Sequence, residues 1–256
     1  NSFVPRVAIA KDFDFMHFKV MVSQSFRVPG GILPNRLPQG NPEIKPEKGT
    51  SYEVAIGFKM PFQSYITFNI FDVSFDKVIV YNLGNDDITG VGYYKNEGTI
   101  GTRGIEADFR HISTKISSFA TFAYYMRKHS KTDSLYRVPD RESYFLGFSP
   151  LRLNGGFNFR VNNQLSLTLS GSYFGKRYAF TQREGNGMDI LEKLNPLFML
   201  GCNVNIKNIV LKGLTATIEV NNMLGESFVF PQPYKGSHAP LPGLDRSFGF
   251  NLVYEY

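Results

Sequence analysis

The sequence lacks the residues that stabilise small disulfide-linked or cysteine-ligated domains. It has one cysteine among 256 residues and no tryptophan. A single thiol excludes an internal disulfide and a cysteine metal cluster, and we expect Cys202 to pack as a small hydrophobic side chain on a strand. No run of about 18 or more apolar residues occurs, which excludes a transmembrane helix.

Motifs for catalysis and for metal or phosphate binding are also missing. No Ser-His-Asp arrangement or G-x-S-x-G motif is present, and the loop glycines lack the strand–helix context of a phosphate loop. The histidines have no partner at metal-ligand spacing; they are His17, His111, His129 and His238. We therefore predict a protein that is not an enzyme, with no metal site and no cofactor. The formal charge is +6, but Lys and Arg form no basic stripe, so nucleic acid is not an expected partner.

Aromatic residues and glycine are abundant, with 24 Phe, 14 Tyr and 24 Gly, and this composition favours β-sheet. Apolar and polar side chains alternate along most of the chain, which is typical of strands because successive side chains point to opposite faces. The predicted strands are Val7 to Lys11, Phe15 to Phe26, Tyr52 to Met60, Tyr65 to Tyr81, Gly104 to Ile112, Ile116 to Arg127, Leu153 to Val161, Leu165 to Phe174, Phe198 to Ile206, Leu211 to Val220 and Arg246 to Tyr256.

Short and long connections alternate between these strands. The short turns have about 2 to 4 residues, whereas the other connections have roughly 20 or more, a layout typical of an outer-membrane β-barrel. We therefore predict an all-β fold, an antiparallel up-and-down transmembrane β-barrel, with a β-sandwich carrying long loops as the alternative. The long connections run from Val28 to Ser51, Asn82 to Arg103, Lys128 to Arg152, Tyr178 to Leu197, and Asn221 to Asp245.

The number of strands indicates part of a larger barrel. We count about eleven strands, but an antiparallel barrel closes on itself only with an even number. A sheet that spans lipid must close, because no water is present to satisfy an open edge. We therefore expect further strands on the N-terminal side of this chain. The last strand would direct a row of large side chains at lipid, namely Phe248, Phe250, Leu252, Tyr254 and Tyr256.

The order and spacing of several short motifs resemble the C-terminal half of a TonB-dependent outer-membrane receptor. Phe26-Arg27-Val28-Pro29 is similar to the Phe-Arg-Ala-Pro segment of that family, and Asn41-Pro42-Glu43-Ile44-Lys45-Pro46-Glu47 resembles its Asn-Pro-x-Leu-x-Pro-Glu. Gly104-Ile105-Glu106 resembles its Gly-Val-Glu strand. Near the C-terminus, Asn222-Met223-Leu224 resembles Asn-Leu-Phe, and Pro242-Gly243 with Arg246 resembles Pro-Gly-Arg.

The resemblance implies a location, a domain arrangement and a set of partners. The family has a 22-stranded barrel in the outer membrane of Gram-negative bacteria, an N-terminal plug, and a segment that TonB engages. Residues 1–256 would then be the C-terminal portion of the barrel, with the plug and first strands outside this chain. The implied partners are outer-membrane lipid and lipopolysaccharide, TonB through the missing plug region, the barrel assembly machinery, and a scarce nutrient such as an iron chelate or another bulky ligand.

Three groups of residues are candidates for these roles. For substrate binding we expect exposed loop residues that can stack on or pair with a ligand: Tyr93, Tyr94, Arg137, Arg141, Arg183, Tyr234 and Lys235. Facing the lumen or the plug we expect Glu53, Lys59, Glu106, Asp108, Arg110, Glu219 and Asn221. The family's C-terminal assembly signal would be the aromatic row of the last strand, from Phe248 to Tyr256.

Two other functions stay open on sequence alone. An adhesin or structural barrel would bind a ligand with the same loops but would not import it. A soluble carbohydrate-binding β-sandwich would need no detergent and would bury its apolar side chains against a second layer of protein.

Overall fold

Eleven strands form one continuous antiparallel sheet in the computed structural model, which describes residues 3–30, 42–82, 93–128, 136–141, 143–183, 189–233 and 239–255. The strands of the sheet are β1 (Arg6–Asp12), β2 (Met16–Arg27), β3 (Glu47–Met60), β4 (Ser64–Asn82), β5 (Tyr93–Ile112), β6 (Ile116–Arg127), β7 (Leu151–Arg160), β8 (Leu165–Phe174), β11 (Leu197–Lys207), β12 (Leu214–Asn221) and β15 (Ser247–Tyr254). They pair in chain order from β1 to β15. The predicted up-and-down antiparallel sheet of about eleven strands is confirmed.

Two small hairpins lie outside this sheet, in segments that the sequence predicts as loops. β9 (Arg177–Arg183) pairs with β10 (Asp189–Leu194), and β13 (Val229–Phe230) pairs with β14 (Leu241–Pro242). Because β8 pairs directly with β11, the β9–β10 hairpin is an insertion at one end of the sheet. Among the described residues, no helix is long and apolar enough to span a membrane.

The strand register separates the side chains into two faces. Residues directly opposite each other on antiparallel strands share a face, so the register aligns Val54, Ile70, Ile105, Tyr124 and Leu151 across five strands. We call this side the apolar face, and the opposite side the polar face. Ile70 is 61% exposed and Ile105 is 45% exposed, although both are large and apolar.

No second layer of protein covers the apolar face within the described part of the chain. Strands of the sheet make substantial contacts only with their hydrogen-bonded neighbours. Interleaved apolar side chains from two sheets define a β-sandwich, so that alternative is wrong. The exposed row suits a surface whose solvent is lipid.

The β4–β5 hairpin is much longer than the sequence predicts. β5 begins at Tyr93, whereas the alternation begins only at Gly104, and β4 and β5 remain paired out to Asn82 and Tyr93. Strands of 19 and 20 residues exceed the roughly 9–11 residues that cross a bilayer. In a sheet that spans a bilayer, the far part of this hairpin would extend beyond the membrane. The predicted start of β3 is also wrong, since this strand begins at Glu47 rather than Tyr52.

A glycine on the polar face makes room for the aromatic rings that position the candidate site. Gly104 lies between Phe71 and Tyr125 in the register. A Cβ atom at Gly104 would be 2.9 Å from the Phe71 ring, too close without a shift of that ring. With only hydrogen there, the Phe71 and Tyr125 rings, which the register places on either side of Gly104, approach to 5.7 Å between centroids.

Candidate ligand-binding site

A packed assembly of loops stands at the end of the sheet where β6 ends and β7 begins. We call residues 136–150 together with strands β9 and β10 the loop unit; Glu142, and residues 184–188 between the two strands, are outside the described residues. Its centre is a cluster of buried apolar side chains, formed by Val138, Leu146, Tyr178 and Phe180. Leu146 N donates to Tyr136 O at 2.9 Å, and Gly147 N donates to Tyr178 O at 2.7 Å. The loop unit therefore has a core of its own.

A cavity of about 600 Å³ lies between the loop unit and the polar face. This volume is within the range of pockets that enclose small ligands. The sheet contributes residues from five strands, including Phe75, Ile100, Tyr125, Arg127 and Arg152. The loop unit contributes mainly aromatic rings, namely Tyr136, Tyr144, Phe145 and Phe148.

The cavity lining is basic and aromatic. It includes three arginines, Arg27, Arg127 and Arg152, and no Asp or Glu among the described residues. The guanidinium carbon of Arg127 is 5.8 Å from the centroid of the Phe145 ring, and that of Arg152 is 5.8 Å from the Phe174 ring. Such contacts hold planar cations against aromatic surface while their edges remain able to donate hydrogen bonds.

An ion pair at the cavity wall joins the two proline-containing motifs. Arg27 Nε lies 2.6 Å from Glu47 Oε2, and Arg27 Nη2 donates to Glu47 Oε1 at 2.6 Å. The Glu47 side chain is only 8% exposed and also accepts a hydrogen bond from Ile79 N at 2.6 Å. One carboxylate therefore fixes the loop-side ends of β2, β3 and β4.

Removing the arginine of this pair should destabilise the chain. In Arg27→Ala the Glu47 carboxylate stays buried without its charged partner, a loss that costs about 1–3 kcal/mol. We expect the midpoint of urea unfolding in detergent micelles to fall accordingly. The matched control is Lys48→Ala, which removes an exposed cation next to Glu47 on β3. This variant should leave the midpoint unchanged. Equal midpoints for the two variants would show that the pair contributes nothing to stability.

The predicted substrate-binding residues whose side chains the structure describes are not part of the cavity wall. Tyr94 is on β5, Arg137 makes a backbone bridge to Phe145, and the Arg141 guanidinium lies 4.8 Å from the centroid of the Tyr178 ring. None of these three residues lines the cavity. The side chains of Tyr93 and Arg183, and all of Tyr234 and Lys235, are outside the described residues.

All seven residues predicted to face the lumen lie on the polar face. Glu106 accepts hydrogen bonds from Tyr125 Oη at 3.0 Å and Asn69 Nδ2 at 3.2 Å. Arg110 Nε lies 2.9 Å from Asp108 Oδ1. The others share this face by their register, and they are Glu53, Lys59, Glu219 and Asn221.

The aromatic row of the last strand lies on the apolar face. On β15 this row consists of Phe248, Phe250, Leu252 and Tyr254, and each of these side chains is more than half exposed. Their partners on β12 are Val220, Ile218, Ala216 and Leu214, in that order. Tyr256 is outside the described residues. A role of this row in assembly stays a prediction.

Sequence reasoning missed the residues that build the cavity. Tyr125 and Arg127 are both on the polar face at the loop end of β6, and Arg152 is the second residue of β7. A useful signal is present in Ala123, Tyr125 and Arg127, where an aromatic and a basic residue continue the polar-face alternation up to the end of a strand. The contributions of Phe145 and Phe148 depend on how the loop unit folds, and no local pattern indicates it.

Comparison with known proteins gives one family and a set of similar structures. The family model described as TonB dependent receptor-like, β-barrel matches residues 1–223. No curated protein matches the sequence. Three solved structures are similar at a TM-score of 0.74–0.76 but only 14–16% identity, which shows likeness of fold.

These structures are all bacterial receptors or transporters. The siderophore receptor PirA from Acinetobacter baumannii is 16% identical, with a TM-score of 0.76, over 99% of this chain and 41% of that one. The FrpB iron transporter from Neisseria meningitidis is 15% identical, with a TM-score of 0.74, over 98% and 39%. The ferripyoverdine receptor of the outer membrane of Pseudomonas aeruginosa is 14% identical, with a TM-score of 0.76, over 98% and 32%. The chain thus spans about a third to two fifths of the length of these proteins.

Proposed function

Since this chain belongs to the family of TonB-dependent receptor-like β-barrels, we propose that it is the C-terminal barrel portion of an outer-membrane receptor that binds a scarce nutrient and imports it. The observation that carries this proposal is the cavity of about 600 Å³ between the polar face and the loop unit. A site at the loop end of a rigid sheet is where barrels bind ligands from outside. The similar structures include a siderophore receptor and an iron transporter, which supports an iron chelate as the nutrient.

The chain's own residues would act in two stages. Tyr125, Arg127 and Arg152 would hold the ligand at the loop end of the sheet, with Phe145 and Phe148 of the loop unit packed on it from outside. Further along the polar face, charged side chains would line the path or contact a plug domain. In this proposal these are the residues expected to face the lumen, from Glu53 and Lys59 to Glu219 and Asn221.

The missing parts of the transporter would come from outside residues 1–256. We propose that the first strands and a plug precede this portion, and that TonB acts through the plug region to release the ligand. The coverage of only 32–41% of the similar chains supports this arrangement. Binding moves no covalent bond, so no catalytic residue is required.

The apolar face defines the remaining partners. Its exposed rows would contact the hydrocarbon of the outer membrane, and basic side chains beyond the apolar rows would meet lipopolysaccharide phosphates. The aromatic row from Phe248 to Tyr254 would be read by the barrel assembly machinery. Tyr94 of β5 and the loop residues Arg137 and Arg141 would make first contact with the ligand before it enters the cavity.

Energised uptake by the full receptor tests this function. Cells whose only route for iron is this receptor should accumulate radioactive iron from a chelate when TonB is active. Uptake should fall to background when TonB is deleted, because transport against a gradient needs an energy source. Binding to cells without TonB-dependent uptake would instead identify an adhesin or structural barrel.

A further inference from the structure

The cavity is unusual in the balance of charge around it. Its lining contains three guanidinium groups and no carboxylate among the described residues. The charge of Arg27 is compensated by Glu47, and Arg127 already has interactions of its own. Of the three lining arginines, Arg152 is therefore the one whose charge these interactions do not account for.

Arg152 has donor capacity that nothing in the described structure uses. Its Nε atom is buried and has no hydrogen-bond partner there, and it forms no salt bridge with a described residue. A buried donor left unpaired lowers stability, and the loss is larger when the donor is charged. Its contact with the Phe174 ring stabilises the planar cation but does not satisfy its N–H groups.

A second arginine behind the cavity increases this positive field. The Nε atom of Arg177, on β9, is also buried without a partner in the described residues, and its Nη1 donates to Val229 O at a long 3.4 Å. Burial and then the charge of Arg152 lower the pKa of Arg177. Two cations that disfavour each other, neither of them in a salt bridge with a described residue, form a site that an anion would stabilise.

The other lining residues favour a particular kind of chemical group as the carrier of the anion. Phe75, Phe145 and Phe148 present apolar ring surface, and Tyr125, Tyr136 and Tyr144 add rings with a polar edge. Aromatic rings stack on other rings with a preference beyond the apolar area they bury. A flexible aliphatic anion would gain the charge interaction but not this stacking.

We propose that the cavity selects iron chelates whose oxyanions are carried on aromatic rings, as in phenolates and benzoates, with Arg152 as the side chain that holds the anion. This inference rests on the proposed uptake function, whose family alone does not decide between anionic, neutral and cationic ligands. Arg177 acts from behind as a positioning residue, because its unpaired nitrogen is buried. A neutral ligand of the same shape leaves the charge at Arg152 uncompensated.

Three iron complexes distinguish the effect of the ligand's charge on binding from the effect of its aromatic rings. The iron(III) complex of 2,3-dihydroxybenzoate has both, the iron(III) complex of benzohydroxamate has rings without net charge, and iron(III) citrate has charge without rings. Binding to the purified full receptor in detergent is measured by quenching of its tyrosine fluorescence. We expect the dihydroxybenzoate complex to bind at least tenfold more tightly than either of the others.

Variants of β7 test the role of Arg152. Arg152→Gln should weaken binding of the dihydroxybenzoate complex about tenfold, since charged hydrogen bonds are worth 1.4 kcal/mol or more, and should leave the benzohydroxamate complex unchanged. Arg152→Lys keeps the charge and should restore part of the affinity. Arg160→Gln, on the same strand and face but at its other end, should bind like the unaltered receptor. Heat-modifiable gel migration verifies that each variant is folded.

The outcomes are distinct from those of the uptake experiment. Equal affinity of the Arg152→Gln variant and the unaltered receptor, or equal binding of the charged and neutral complexes, overturns the inference even if TonB-dependent uptake is found. Selective, Arg152-dependent binding without uptake supports the inference and contradicts transport.

Discussion

Replacing Ile218 with arginine should lower the free energy of unfolding in lipid by about 2–4 kcal/mol, the cost of a cation near the middle of a membrane-facing strand. Ile218 lies in the centre of β12 on the apolar face, between Val204 of β11 and Phe250 of β15. Its side chain is 47% exposed, so no protein layer would shield the new charge. Lipid offers that charge no water and no counterion.

The neighbouring position supplies the control. Thr217 is on the polar face of the same strand, where its hydroxyl accepts a hydrogen bond from Asn205 Nδ2 at 3.0 Å. Thr217→Arg loses that bond, worth about 1 kcal/mol, but its charge points away from lipid. Equilibrium urea unfolding in phospholipid vesicles measures both losses. Equal losses for the two variants would contradict the assignment of the faces.

The sheet could be predicted from the sequence because each strand carries its own signal. The bounds of β6 and β8 agree with the predicted segments from Ile116 to Arg127 and from Leu165 to Phe174. Period-two alternation is imposed by lipid on one side and polar surroundings on the other. The family match then confirmed the barrel class.

The same reasoning explains why the ends of the sheet were missed. Beyond the membrane both faces of a strand meet polar surroundings, so alternation stops while the backbone pairing continues. For this reason the sequence predicts a loop where the first eleven residues of β5 lie, from Tyr93 to Arg103. β9 and β10 lie in a connection that the sequence predicts as a loop. Both strands are short and pair only with each other, and their buried side chains depend on contacts with residues 136–150.

The cavity could not be predicted for a related reason. Its walls combine Arg27, Phe75, Tyr125 and Phe145, which are far apart in the chain. Exposed tyrosine and arginine in loops are reasonable candidates for ligand contacts. Composition alone, however, cannot distinguish a ring that packs inside the loop unit from one that lines the cavity. Tyr178 illustrates this, because it lies in a predicted loop and is buried in the core of the loop unit.

The sheet and the loop unit are therefore stabilised in different ways. The sheet depends on backbone pairing and on lipid, since its apolar side chains remain exposed to the surroundings. The loop unit depends on a small core that includes Val138 and Leu146, both fully buried. A change in that core should open the cavity wall without unfolding the barrel.

Truncating Leu146 to alanine should have this effect, at a local cost of about 2–5 kcal/mol for a buried leucine. The amides of Leu146 and Gly147, bonded to Tyr136 O and Tyr178 O, should exchange hydrogen at least about 30-fold faster, as measured by mass spectrometry. Since Phe145 and Phe148 flank this core and line the cavity, ligand binding should weaken as well. Leu146→Met, which nearly conserves volume, should cost less than about 1.5 kcal/mol and preserve both properties. Unchanged exchange in the alanine variant would mean that this core does not hold the loop unit together.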